Sequence, residues 1–188
     1  MNQVDKHSNT SNAYSISVLL LFALLFLVNH GLIASEQRNK ILHKINIELT
    51  THLGDKQIYI DRDTISFFIS IDKPAYLYAF YQDASGSIYQ LMPGLAQTDH
   101  FFSAGFYIPF PANDSPFKLQ VQAPFGKETF YIYASDQKHI SFNSYADKES
   151  LVQIQGSVLD IERTVKQSSK TFYGHSALTV KTQKNIKP

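Results

Sequence analysis

The side chains with most to offer catalysis in this sequence are its seven histidines: His7, His30, His43, His52, His100, His139 and His175. None stands at the close paired spacing by which one helix or hairpin presents two imidazoles to a metal ion, so a metal centre would have to be gathered from distant strands. Asp61 and Asp63 flank Arg62; on a tight turn such carboxylates cap backbone amides and balance the guanidinium rather than act as an acid and base pair. Asp99-His100, beside Phe101-Phe102, comes closest to a catalytic fragment, an imidazole base oriented by a carboxylate. Neighbours in a strand point to opposite faces, however, and no nucleophile accompanies them. The patterns H-E-x-x-H and G-x-S-x-G, the phosphate-binding loop and the dinucleotide fingerprint do not occur. Cysteine is absent, which removes thiol catalysis, disulfides, thiolate metal sites and lipid attachment to a cysteine. The expectation is a non-catalytic protein with no cofactor, no metal and no catalytic residues.

Charge points away from nucleic acid. Seventeen Lys and Arg against sixteen Asp and Glu leave no global field to gather a polyanion or an anionic membrane. Lys181, Lys184 and Lys187 form a mildly basic end that reads as a solvated, frayed tail.

The elements that would position any site begin after an apolar run. "ISVLLLFALLFLV", residues 16–28, holds thirteen residues without a charge, which fits the core of a signal peptide, whereas a membrane span needs about 20 residues. Residues 14–34 reach 21 when Asn29, His30 and Gly31 are included. Residues 1–35 are therefore read as a signal peptide cleaved near Ala34 or Ser35, or alternatively as an inner-membrane anchor. Lys6 as the only cation before the run, with Arg38, Lys40 and Lys44 after it, is poor support for the anchor. Either way the folded part is expected to be periplasmic or secreted, touching a membrane only through this segment if it is uncleaved.

Residues 36–44 read as a linker and 45–182 as one β-rich domain. Ile45, Ile47 and Leu49 alternate with Asn46, Glu48 and Thr50, the signature of a half-buried strand. "HLGDK" turns into the returning strand "QIYI", "DRD" into "TISFFISI", and a meander is expected. "FKLQVQA" has the cleanest alternation in the chain, and "TFYIYAS" and a short "KHISF" follow. Then the period changes. Leu151, Ile154, Val158, Ile161 and Val165 form a helical stripe, with Asp147 available as N-cap and Glu149 in the first turn, predicting a helix over 147–168. Gly156 weakens that helix by about 1 kcal/mol, and the alternation from Val152 to Ile154 offers a competing strand. A final strand over 171–182 and a tail over 183–188 complete the chain. Seven or more short strands predict a mainly β fold, an antiparallel β-sandwich or small barrel with one C-terminal helix packed on an edge or open end.

Within that frame, "AYLYAFYQDASGSIYQLMP" (75–93) crowds aromatics onto both parities: Tyr76, Tyr78 and Phe80 on one side, Leu77, Ala79 and Tyr81 on the other. "TFYIYA" repeats the pattern with Tyr131 and Tyr133 opposite Phe130 and Ile132. Strands apolar on both faces are central and covered twice, and the two are expected to pair or to face each other across the core. The alternative leaves one tyrosine row exposed as a platform for a peptide or glycan.

The same residues carry a resemblance. "YIDRDTISFFISIDKP", the 75–93 stretch, "FFSAGFYIPFP" and "FKLQVQAPFGKETFYIYAS" together resemble the bacterial family called domain of unknown function 4384, over about residues 58–135. Asp83, Gly86, Leu91 and Pro93, then Gly105 with Ile108-Pro109, then Pro124-Phe125-Gly126 with Glu128 occur in that family's order; Ala75 and Gly94 depart from it, standing where Gly and Asn are usual. The resemblance implies a β-rich accessory or interaction module with no catalytic residues to carry over. Its shared residues read as turn chemistry: Asp83 and Gly86 shape a hairpin, Pro93 and Pro109 end strands, and Pro124 with Gly126 makes a tight return. The expected function is an exported envelope module binding a protein partner in a bacterial surface or secretion-associated assembly, through an edge strand or the loop over 105–116. Tyr76, Tyr78, Tyr131, Tyr133, Phe106 and Tyr107 are the candidate interaction surface. A glycan- or peptide-binding domain and, behind it, a hydrolase with an unrecognised site are the alternatives.

Overall fold

Alternation of apolar and polar side chains, broken by turns every few residues, gives short strands and little else. A computed structural model of the chain describes residues 40–54, 56–94, 97–145 and 151–185. The signal-peptide or anchor segment, residues 36–39 of the linker, Asp147 with Glu149, and Lys187 lie outside the described residues. In chain order the elements are β1 (His43–Lys44), β2 (Ile47–Thr51), β3 (Ile58–Ile60), β4 (Thr64–Ile65), β5 (Phe67–Ile71), β6 (Ala75–Gln82), β7 (Ile88–Met92), β8 (Phe101–Phe102), β9 (Ile108–Phe110), β10 (Leu119–Gln120), β11 (Lys127–Ser135), β12 (Val152–Ile154), α1 (Val158–Ser168) and β13 (Phe172–Gln183). From Ile41 onward they form one compact unit.

The main sheet runs β1-β13-β11-β6-β7-β12, with β3 also on β13 and β8 on β6; β2-β5-β9 and β10-β4 form two smaller sheets. The fold is mainly β, a sandwich rather than a closed barrel. The two aromatic strands do pair: β6 lies antiparallel to β11 with Tyr78 opposite Tyr133 and Phe80 opposite Tyr131. On one face, Leu77, Ala79, Phe130, Ile132 and Ala134 pack with Ile65, Phe67, Ile69 and Phe110 of the smaller sheets. On the other, Tyr78, Phe80 and Tyr133 pack with Ile161 and Val165 of α1. The central strands are thus covered twice, as apolar residues on both parities require.

Several sequence expectations change. Most pairings are antiparallel, but β1 and β3 join β13 in parallel. Strand β3 does not return along β2, whose partner is β5. The turn after β2, closed by Gly54 N donating to Thr51 O, belongs to a connection too long to act as a tight hairpin loop and leads the chain away. The helix starts at Val158, not near 147: Gly156 takes φ +107°, and Ser157 is an extended N-cap whose side chain forms a reciprocal capping box with Asp160. Val152 to Ile154 instead pairs with β7, the strand reading of that alternation. The helix also lies on a sheet face rather than at an edge, because Tyr78, Phe80 and Tyr133 need a cover there.

Around "FKLQVQA" burial alternates as expected, with Leu119 and Val121 inward, yet the ladder holds only Leu119 and Gln120 against β4. "KHISF" forms no strand; its Phe142 packs edge-on against Tyr78 and Phe80 at 5.8 and 5.0 Å between ring centres. Pro93 follows the end of β7, but Pro109 sits in the middle of β9, opposite Phe68. An edge strand tolerates this, since proline needs only a position where no N–H must reach a partner. Lys181 is not in a tail. It lies within β13, directly opposite Lys127.

Candidate functional site

Six aromatic residues were candidates for an interaction surface, and the fold separates them. Tyr78 and Tyr133 are buried, so the platform reading fails for both; the Tyr78 hydroxyl donates to Gln137 O at 2.7 Å, which satisfies its polar end inside the core. Tyr76 and Tyr131 are half-buried. Tyr76 stands between His100 and Phe101, and the Tyr131 hydroxyl reaches Gln82 Oε1 at 3.1 Å. Phe106 and Tyr107 behave differently, being 69% and 65% exposed on the loop that enters β9.

That loop is held in place from below. Gly105, at φ +84°, donates its N–H to Ile71 O at 3.1 Å, a conformation that L side chains avoid. Beside it opens a groove of about 410 Å³ lined by Asn46, Glu48, Ser70, Asp72, Ala104 and Gly105. Asp72 closes one wall: its carboxylate accepts from the Asn46 backbone N at 2.9 Å and Nδ2 at 2.7 Å and from Lys73 Nζ at 3.1 Å. Desolvation pushes that carboxyl up, but the Asn46 amides and Lys73 outweigh it and hold it below the usual carboxylate range. Phe68, partly exposed, continues the apolar surface across β5 opposite Pro109. Because Pro109 has no N–H, the outer edge of β9 is a poor template for an added strand, and recognition here would rest on side chains.

The turn residues are where hairpin chemistry needs them. Asp83 Oδ1 accepts from Ser85 N and Ser87 N, both at 2.9 Å, and Gly86 takes φ +91° to close the β6–β7 loop. Gly126 lies two residues after Pro124 and takes φ +154°; its N–H donates to Thr182 Oγ1 at 3.0 Å and its carbonyl accepts from Thr182 N at 2.8 Å.

Two polar sites have other roles. His100 is buried, with Nε2 3.0 Å from Lys138 O, and its ring packs 5.3 Å from both Tyr76 and Tyr78. Asp99 turns away from it and accepts from Phe101 N, so the adjacent pair does not form a dyad. Asp63 caps Ile60 N at 2.8 Å, as a turn carboxylate should, while Arg62 makes no ion pair among the described residues. Among those residues no three His, Asp or Glu side chains gather around a common point.

By its sequence context Glu128 belongs to a turn motif. The structure buries it at 2% exposure, with Oε1 accepting from Thr182 Oγ1 at 2.7 Å and the Tyr81 hydroxyl as a second partner. Burial raises its carboxyl above the ordinary value, against the pull of those two donors. A cavity of about 260 Å³ bounded by Ile65, Phe117, Leu119 and Val121 adjoins it. The signal was present: in Lys127-Glu128-Thr129-Phe130 the charge stands on the parity of the inward Phe130. The network ties β6, β11 and β13 together, and among the described residues no basic side chain pairs with the carboxylate.

Comparison with known families agrees with the sequence resemblance in place and extent: residues 58–138 match the model of the family described as domain of unknown function (DUF4384), less than half of the chain. The match ends before β12, α1 and β13. No curated protein and no solved structure matches the chain.

Proposed function

We propose that the chain is a non-catalytic binding module that engages a protein partner through the Phe106-Tyr107 loop, and that it does so outside the cytoplasm in a bacterial envelope assembly. The observation that carries this reading is the pair of adjacent large aromatics, each about two-thirds exposed, on a loop pinned to β5 by Gly105. Aromatic anchors over a polar rim are the usual anatomy of a protein-binding hot spot, and a preorganised loop loses less entropy on docking. Phe68 and the Asn46-Asp72 groove supply the surrounding surface. Export rests on the apolar run over residues 16–28 and its polar flanks.

A saccharide ligand is the second reading, favoured by an amide and carboxylates next to exposed rings. Asp72, however, already spends its oxygens on Asn46 and Lys73, which leaves Glu48 as the uncommitted acceptor. The test is a photo-crosslinking amino acid at position 106 or 107, with position 159 as control, since Leu159 is equally exposed on the helix. In cells that make the protein, discrete protein adducts at 106 and 107 but not at 159 are expected. Equal labelling at all three positions, or none at 106 and 107, would refute the reading.

A further inference from the structure

A second surface, remote in sequence from the aromatic loop, gathers cations that have no ion-pair partner among the described residues. Lys127 and Lys181 are direct cross-strand partners in the β11–β13 ladder, both exposed. Like charges set opposite one another on a sheet repel and destabilise the pairing. A third cation, Lys56, lines the same cavity of about 370 Å³ together with Gln57, Ile58 and Thr179. Neither ion pair found among the described residues involves any of the three lysines. The nearest carboxylate along the strand, Glu128, points to the opposite face and is committed to Thr182.

The concavity also holds neutral donors. Thr179 Oγ1 lies 3.0 Å from Thr129 Oγ1, its partner across the ladder, and the Gln57 side-chain amide donates to the adjacent Ile58 carbonyl at 3.1 Å. Helix α1 covers the same sheet face farther along, over Tyr133 and Tyr173, which leaves the Lys127 end open. Three ammonium groups, a hydroxyl pair and one apolar wall from the half-exposed Ile58 match a dianionic group attached to a carbon skeleton. We propose that this cavity is a binding site for a phosphate ester, with Lys56, Lys127 and Lys181 neutralising the phosphate and Thr179 donating a hydrogen bond to it.

The phosphate could be carried by a soluble molecule or by a phospholipid headgroup, and the test separates these. Full-length protein is titrated with inorganic pyrophosphate, with a sugar monophosphate, and with vesicles of phosphatidylglycerol or phosphatidylcholine, at matched ionic strength. A soluble ligand predicts saturable shifts of the Lys127, Thr179 and Lys181 amide resonances with the sugar phosphate and a raised melting temperature. A headgroup predicts sedimentation with phosphatidylglycerol vesicles only. In both cases the double variant K127Q/K181Q weakens binding at least about tenfold, while melting no lower than wild type without ligand, because a repulsive pair has been removed. Shifts that follow chloride equally, or that survive intact in K127Q/K181Q, or no saturable response to any of the probes, would overturn the proposal.

Discussion

Two sets of aromatic rings, Tyr78 with Phe80 and Tyr133 on the central strands and Phe106 with Tyr107 on the loop before β9, have the same chemistry and opposite fates. The first set sits at 0–1% exposure between the sheet and α1, and the second at 65–69%. The difference comes from what flanks them. On β6 and β11 apolar residues occupy both parities, so one cover cannot bury them all and the fold supplies two, the small sheets on one side and the helix on the other. Before β9 the rings follow Gly105, which has a positive φ, and no element among the described residues buries them. Aromatic content alone therefore does not mark a site; a ring left open on a loop that is itself fixed does.

The comparison breaks most visibly in stability. Tyr78→Ala should lower unfolding free energy by about 4 kcal/mol, because it opens a ring-sized cavity and frees the Gln137 carbonyl. Phe106→Ala should change it by less than about 0.5 kcal/mol. Chemical denaturation of the two variants checks both; equal losses would mean that the loop rings are packed too.

A smaller effect belongs to Glu128. Replacing it with Leu strands the Thr182 and Tyr81 hydroxyls and should cost about 1–2 kcal/mol. Glu128→Gln keeps an acceptor and removes the titration. Because burial raises the folded carboxyl above its ordinary value of 4.5, the folded state keeps its proton to higher pH than the unfolded chain. This group's contribution to stability is therefore greatest below that ordinary value, declines as pH rises through the folded value, and levels off above it. The stability of E128Q relative to wild type should rise across that window, measured by denaturation at a series of pH values; a constant difference would show that Glu128 does not titrate as its burial implies.

Much of the fold was legible in the sequence because period-two alternation and turn residues are local signals. The strands β6 and β11, the Asp83-Gly86 hairpin and the final strand β13 follow directly from them, while the choice between pairing and facing across the core for β6 and β11 comes from the structure. What was misread depended on distant partners. The stripe from Leu151 to Val165 fits a helix by spacing, but Gly156 and the Ser157–Asp160 capping box start the helix later, and pairing with β7 decides the residues before it. Lys181 fits both the end of the final strand and a basic tail by its sequence, and β11 and β3 hold it in a ladder. At the site, Phe106 and Tyr107 could be named beforehand but not told apart from Tyr78 and Tyr133, since burial is a property of the whole packing. Glu128 was visible as a charge on an inward parity, and its partner Thr182 lies 54 residues away.

The most direct test of the account is hydroxyl-radical footprinting of the tyrosines, read by mass spectrometry on the purified protein and again in intact cells. The account predicts that Tyr107 reacts rapidly in the purified protein and is protected in cells, while Tyr78 and Tyr133 stay unreactive in both. Rapid modification of Tyr78 in the purified protein, or a Tyr107 as reactive in cells as outside them, would contradict it.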